Sequence, residues 1–206
     1  MKIIKLLLLM VVSFNCKAQV NISPIFNQDG FFDQTNTYYM DSENEFNKFV
    51  GTWKWEQGLS SLTITFQKKL NVFFPEDNNY SDVLIAEYEY IDGNGVSLVN
   101  TLPSLLNTTI LPYNRNIWGN TILTARPGNP LTPNNSSTTI EYNRISLDIQ
   151  DPERTYLRNS MKVRYIDDAV PKIEILIGGR GIQFIEPGEL PNMRVPYGFY
   201  KLTKQP

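Results

Sequence analysis

The chain has 206 residues, with 19 Lys and Arg against 21 Asp and Glu, a net charge of -2, one Cys and no His. An acidic balance without a basic block leaves no footprint for a nucleic-acid backbone. Without His, and with a single Cys, there is no Ser-His-Asp or Cys-His machinery and no zinc site built on imidazole or thiolate. Chain order then begins with Met1-Lys2-Ile3-Ile4-Lys5, a short basic start, followed by an unbroken apolar run from Leu6 to Val12. Cys16-Lys17-Ala18 supplies small residues where a signal peptidase reads them. The pattern predicts a secretory signal peptide over 1–18, cut between Ala18 and Gln19. The run is well short of the roughly 20 residues of a membrane span. The alternative is a lipid anchor on Cys16. A lipobox wants an aliphatic residue three before the Cys and a small one just before it, and Ser13 and Asn15 stand there instead.

Taking Lys2, Lys5 and Lys17 from the 19 basic residues leaves 16 against 21 acidic ones, a net charge near -5. The exported chain then has neither Cys nor His. It has no disulfides, so its apolar core must hold it together. About 190 residues suffice for one domain. No later apolar run reaches membrane length.

Residues 19–40 lack a clean period; Phe31, Phe32, Tyr38 and Tyr39 sit among Asn, Gln and Asp. They read as an extended N-terminal arm, followed by a single domain over 41–206. Ser42 and Glu45 have capping-box spacing, and Phe46, Phe49 and Val50 recur at i, i+3, i+4 before Gly51. That predicts a short amphipathic helix. From Gly51 the period becomes two. Trp53 and Trp55 share a face; Leu62, Ile64 and Phe66 share another; Leu84, Ala86, Tyr88 and Tyr90 a third. Asp92-Gly93-Asn94-Gly95 predicts a hairpin turn, and Val96–Leu102 returns from it. Further alternating runs fall around 117–124, 138–149, 161–166, 172–177, 181–185 and 199–202. Pro- and Asn-rich loops separate them at 103–116, 126–137 and 186–196. Many short strands joined by turns predict an all-β antiparallel barrel or sandwich.

Carboxylate chemistry is what the composition leaves open. Glu87 and Glu89 lie two apart, hence on one strand face, about 7 Å from each other. That separation suits a glycosidase pair, but alternation with Tyr88 and Tyr90 accounts for both as a solvated outer face. Asp167-Asp168 before Pro171 reads as a turn. An EF-hand reading of Asp92–Gly95 fails where Val96 and Ser97 should be a ligand and a glycine. Gly178-Gly179-Arg180-Gly181 reads as a glycine-rich hairpin, since no helix follows it. Asn107-Thr108-Thr109 and Asn134-Asn135-Ser136 match glycosylation sequons. The sequence assigns no catalytic residue, no metal and no cofactor. The aromatics on the strands fill the core or line a ligand cavity.

The short helix, Gly51-Thr52-Trp53 and the ensuing strands resemble the start of a lipocalin or wider calycin barrel. The resemblance implies that Trp53 plugs the closed end. It also places an Arg of the last strand against that Trp, where this chain carries Lys201. A longer stretch resembles an uncharacterised family of secreted Bacteroidetes proteins, flavobacterial ones in particular. It runs through Cys16-Lys17-Ala18-Gln19, Phe49-Val50-Gly51-Thr52-Trp53, Leu62-Thr63-Ile64, Glu87–Ile91 with Gly95-Val96, Asn100-Thr101-Leu102 and Leu202-Thr203-Lys204. That resemblance implies export and a β fold but no activity.

The expectation is an antiparallel up-and-down, lipocalin-like β-barrel with a short N-terminal helix, exported to the periplasm, outer surface or medium. The leading function is a non-enzymatic binder of a small apolar molecule or lipid. Its ligand would touch Phe66, Leu84, Ala86, Tyr88 and Tyr90 inside the barrel, because unpaired Glu87 and Glu89 cost far less facing water. The alternative is a cell-envelope interaction protein that binds a protein or glycan through its surface or loops.

Overall fold

A computed structural model describes residues 21–25, 34–124, 143–181 and 185–206. Residues 1–18, read from the sequence as a signal peptide, Phe31, Phe32, the loop expected at 126–137 and the Asn134 sequon lie outside the described residues, as does most of the run at 181–185. The described strands are β1 (Asn21–Pro24), β2 (Thr37–Met40), β3 (Gly51–Gln57), β4 (Ser60–Phe74), β5 (Asn79–Ile91) and β6 (Ser97–Asn100). They continue with β7 (Ile117–Thr124), β8 (Asn143–Ile149), β9 (Asn159–Ile166), β10 (Lys172–Gly179) and β11 (Gly198–Lys204).

Eight of these form a closed ring. Each of β3, β4, β5, β7, β8, β9, β10 and β11 pairs antiparallel with the next, and β11 returns to β3. The expected up-and-down antiparallel barrel is what the chain forms. Closure depends on β5, whose second edge is divided three ways. β2 takes Tyr80 and Ser81, β7 takes Leu84 to Ala86, and β6 takes Glu89 to Ile91. β1 pairs parallel with β2 and extends the arm. At the β6 hairpin, Asp92 Oδ1 accepts from the backbone N–H of Asn94 and Val96, and Gly95 takes φ 79°. This is the turn that Asp92–Gly95 predicted.

The expected amphipathic helix is instead one 3₁₀ turn, Glu45–Phe49. Asn44 is left-handed at φ 56° and Val50 is already extended, so one turn is all that fits. The capping oxygens come from Asp41 rather than Ser42: its carboxylate accepts from Glu45 N at 2.8 Å and Phe46 N at 3.0 Å. Phe46 and Phe49, three apart, are buried as a three-residue turn requires.

Inside the ring the alternating faces meet as one core. Trp53, Leu62, Ile64, Phe66, Leu84, Ala86, Tyr88, Ile117, Ile145, Leu147, Met161, Val163, Ile173, Ile175 and Leu202 all belong to it. Trp53 is 0% exposed and donates its indole N–H to Phe49 O at 2.7 Å. Lys204, its register partner on β11, holds its ammonium 5.4 Å from the Trp53 ring centroid. The last-strand cation against the tryptophan is therefore Lys204. Lys201 points outward, toward Glu174 at 3.9 Å.

The outer face of β5 departs from expectation. Glu87 was expected in water but is 1% exposed. The segment after β6, with 3₁₀ turns at Leu102–Leu106 and Pro112–Asn114, returns over β5 and covers it. Glu89 stays near the surface, accepting from Ser97 Oγ and Asn100 Nδ2. Opposite, β7 bulges between Trp118 and Thr121. A Cβ on Gly119 would meet the Ser146 carbonyl oxygen at 2.8 Å, so the bulge needs glycine. Among the described residues no helix is long and apolar enough to cross a membrane.

Candidate functional site

At the end of the barrel where β7 and β9 begin and β8 and β10 finish, four segments meet. The covering segment after β6 brings Arg115 and Asn116, and the first turn of β7 brings Trp118. The link from β8 to β9 brings Gln150, Leu157 and Arg158, and the end of β10 brings Arg180. Together with Asp148, Ile149, Thr155, Asn159 and Gly181 they line a cavity of about 530 Å³.

Arg115 is held from behind. Its Nη1 donates to Ser104 O and its Nη2 to Asn107 O at 2.5 Å, and Nη1 stands 3.6 Å from Glu87 Oε1. Asn116 Nδ2 donates to the other Glu87 oxygen at 2.7 Å. The buried carboxylate therefore fixes two cavity residues at once. Gln150 is fixed by its backbone: its N–H donates to Asn116 O at 2.7 Å, and its carbonyl accepts the Tyr88 hydroxyl at 3.0 Å. Burial, with the nearby Asp151 charge adding, pushes the Tyr88 pKa far up, so the phenol stays a donor. Arg180 pairs with Asp148 at 2.5 Å across the rim, and its N–H donates to Arg158 O. On one flank Trp118 stacks on Phe74, with centroids 6.0 Å apart.

Two donors in this lining lack a partner among the described residues. Asn159 is buried; its Oδ1 accepts the Tyr197 hydroxyl at 2.7 Å, but its Nδ2 donates to nothing. Arg115 Nε is likewise buried and unpartnered. Buried polar groups are nearly always hydrogen-bonded, and an exception calls for an account. Nearby, Arg194 locks this end of the barrel. It donates from Nε and Nη2 to Asp151 (Nη2 to Oδ1 at 2.6 Å) and from Nη1 to Leu98 O at 2.8 Å.

The residues read from the sequence as ligand contacts lie elsewhere. Phe66, Leu84, Ala86, Tyr88 and Tyr90 do share the inner face and are brought together there, all buried in the core, and Trp53 is buried with them. Tyr88 reaches the cavity wall through its hydrogen bond to Gln150. Many of the cavity residues come from segments between strands, where no period marks them, and Trp118, Asp148, Ile149 and Asn159 come from strand ends. The available signals were Arg115 alone between Pro- and Asn-rich stretches, and Arg180 after two glycines.

The fold and cavity define a small up-and-down eight-stranded β-barrel with a polar recess at one end. The chain belongs to a family of unknown function (DUF6705), whose model matches residues 1–205. No curated protein and no solved structure matches the chain.

Proposed function

We infer that the protein is an exported, non-enzymatic binding module that takes a polar, acceptor-rich ligand of carbohydrate type in the end cavity. The observation that carries this reading is the pair of buried, unpartnered donors, Arg115 Nε and Asn159 Nδ2, in the lining of a 530 Å³ space. A ligand oxygen at each would remove the cost of leaving a buried donor unpaired. Around them, the amides of Asn116 and Gln150, the Thr155 hydroxyl and the Asp148–Arg180 pair offer donors and acceptors, with the Trp118 indole beside them. An aromatic flank with a few fixed polar groups suits a sugar ring. Ligands of this kind belong at a cell envelope, where the leader read over 1–18 would send the chain. An apolar ligand inside the barrel is the weaker reading, because the aromatic faces that suggested it are packed into one core.

The test is a panel of soluble oligosaccharides titrated against tryptophan fluorescence, with Asn159→Ala and Trp118→Ala as variants. Binding should be saturable in the wild type and lost or weakened at least tenfold in both variants, with folding preserved by circular dichroism. Binding that survives both substitutions overturns the reading. So does binding only of an apolar probe, lost in Tyr88→Ala; that outcome restores the barrel interior as the site.

A further inference from the structure

On the outer wall, the register places Arg144 of β8 beside Arg164 of β9, Glu174 of β10 and Lys201 of β11 in one row. The adjacent row carries Ser146, Lys162, Leu176 and Phe199. Neighbouring strands are about 4.8 Å apart, so four cations share a small area with one acid. Glu174 is committed: it is ion-paired with Arg164 and lies 3.9 Å from Lys201. Among the described residues Lys162 makes no ion pair. This concentration of positive charge sits on a chain whose net charge is -2.

Arg144 is the anomaly. It is 3% exposed, and its Nε, Nη1 and Nη2 all lack a hydrogen-bond partner among the described residues. A buried guanidinium with no acceptor is strongly disfavoured, more so with a second guanidinium beside it. Burial, with the Arg164 charge adding, pushes its pKa down, while Glu174 opposes. Arg144, Lys162, Arg164, Glu174, Ile175, Leu176 and Phe199 line a recess of about 20 Å³, the room of one water or one anionic oxygen, with the Glu174 carboxylate in its wall already held by Arg164. Phe199, 56% exposed, gives the recess an apolar border.

We propose that Arg144, with Lys162 and Arg164, forms an anion site on the outer wall that takes a carboxylate carrying a short apolar tail. A guanidinium fork matches a planar carboxylate, whose leading oxygen fits the recess. The tail lies along Leu176 and Phe199. The site is separate from the end cavity and stands whether or not that cavity binds sugar.

The experiment measures the thermal midpoint of the full chain at constant ionic strength in chloride, inorganic phosphate, acetate and hexanoate. It is repeated on Arg144→Met, Lys162→Met and Phe199→Ala. A bound ligand raises the midpoint saturably. Acetate and hexanoate should do so, hexanoate more tightly. Arg144→Met should abolish the response and Lys162→Met weaken it. Phe199→Ala should weaken hexanoate roughly tenfold while leaving acetate unchanged. Identical effects of all four salts would overturn the proposal, as would phosphate binding more tightly than the carboxylates or an undiminished response in Arg144→Met. Should Arg144→Met not fold, Lys162→Met decides: an undiminished carboxylate response there also overturns the site.

Discussion

Replacing Arg194 with Met tests what holds the cavity end of the barrel together. The Asp151 side chain is fully buried and accepts from Arg194 Nε and Nη2 and from the backbone N–H of Arg194 and Glu153. Burial alone would push its pKa up, but the hydrogen bonds from the Arg194 side chain and the two backbone groups outweigh it, so the pKa lies below the ordinary value. Methionine keeps the aliphatic bulk and removes the charge, leaving a buried carboxylate without its cation. Breaking a buried pair on one side costs about 3–5 kcal/mol. The sign with pH follows from linkage. A depressed folded pKa contributes stability that is present above the unfolded value, about 3.9, and is lost as pH falls through the folded value. In the variant that contribution is gone and burial still acts, so its carboxyl protonates at higher pH. The deficit against wild type should therefore be about 3–5 kcal/mol at pH 7 and shrink markedly by about pH 3. Urea denaturation of both proteins at the two pH values measures it. A deficit below about 1 kcal/mol at pH 7, or one equal at both pH values, refutes the reasoning.

Gly119→Ala should lose about 1–3 kcal/mol in chemical denaturation, because the new Cβ meets a backbone oxygen that cannot swing away. Lys204→Met should lower stability by about 0.5–1 kcal/mol and shift the tryptophan emission, since it removes the cation over the Trp53 ring. Tyr38 and Tyr200 have pKa values pushed up to about 12, in both cases chiefly by burial. An ultraviolet titration should therefore show these two phenols ionising well after ordinary tyrosines near 10.

The ring of strands was readable because alternation is local: Leu62, Ile64 and Phe66 announce their face whatever the rest of the chain does. The hairpin at Asp92–Gly95 was readable for the same reason. The helix at 45–49 was over-read because Phe46 and Phe49 fit a three-residue period as well as a longer one, and the extended Val50 that ends it early is a tertiary choice. Glu87 was misplaced for a different reason. Alternation tells which side of β5 it occupies, but whether that side meets water depends on a segment some twenty residues further on folding back over it. The end cavity was hidden because Arg115 and Arg180 come from separate loops and Asn159 from the start of β9, and only ring closure makes them converge. Arg144 was invisible too, since a lone arginine on a strand looks like any solvated one until its neighbours across β9 and β10 are known.

The seam between β3 and β11 joins residues far apart in the chain, Trp53 with Lys204 and Lys54 with Thr203. Contacts this non-local form late and slowly. Once made, they leave every barrel strand with a neighbour on each side, the 67–74 half of β4 extending past β3 to pair only with β5, and the outlying β1 and β6 are only four residues long. The folded protein thus offers other copies of itself little to extend by strand addition. Before the seam closes, β3 and β11 are both open edges. The interval in which this chain is prone to self-association is therefore its own folding, and slowing closure should raise aggregation yield without altering the finished barrel.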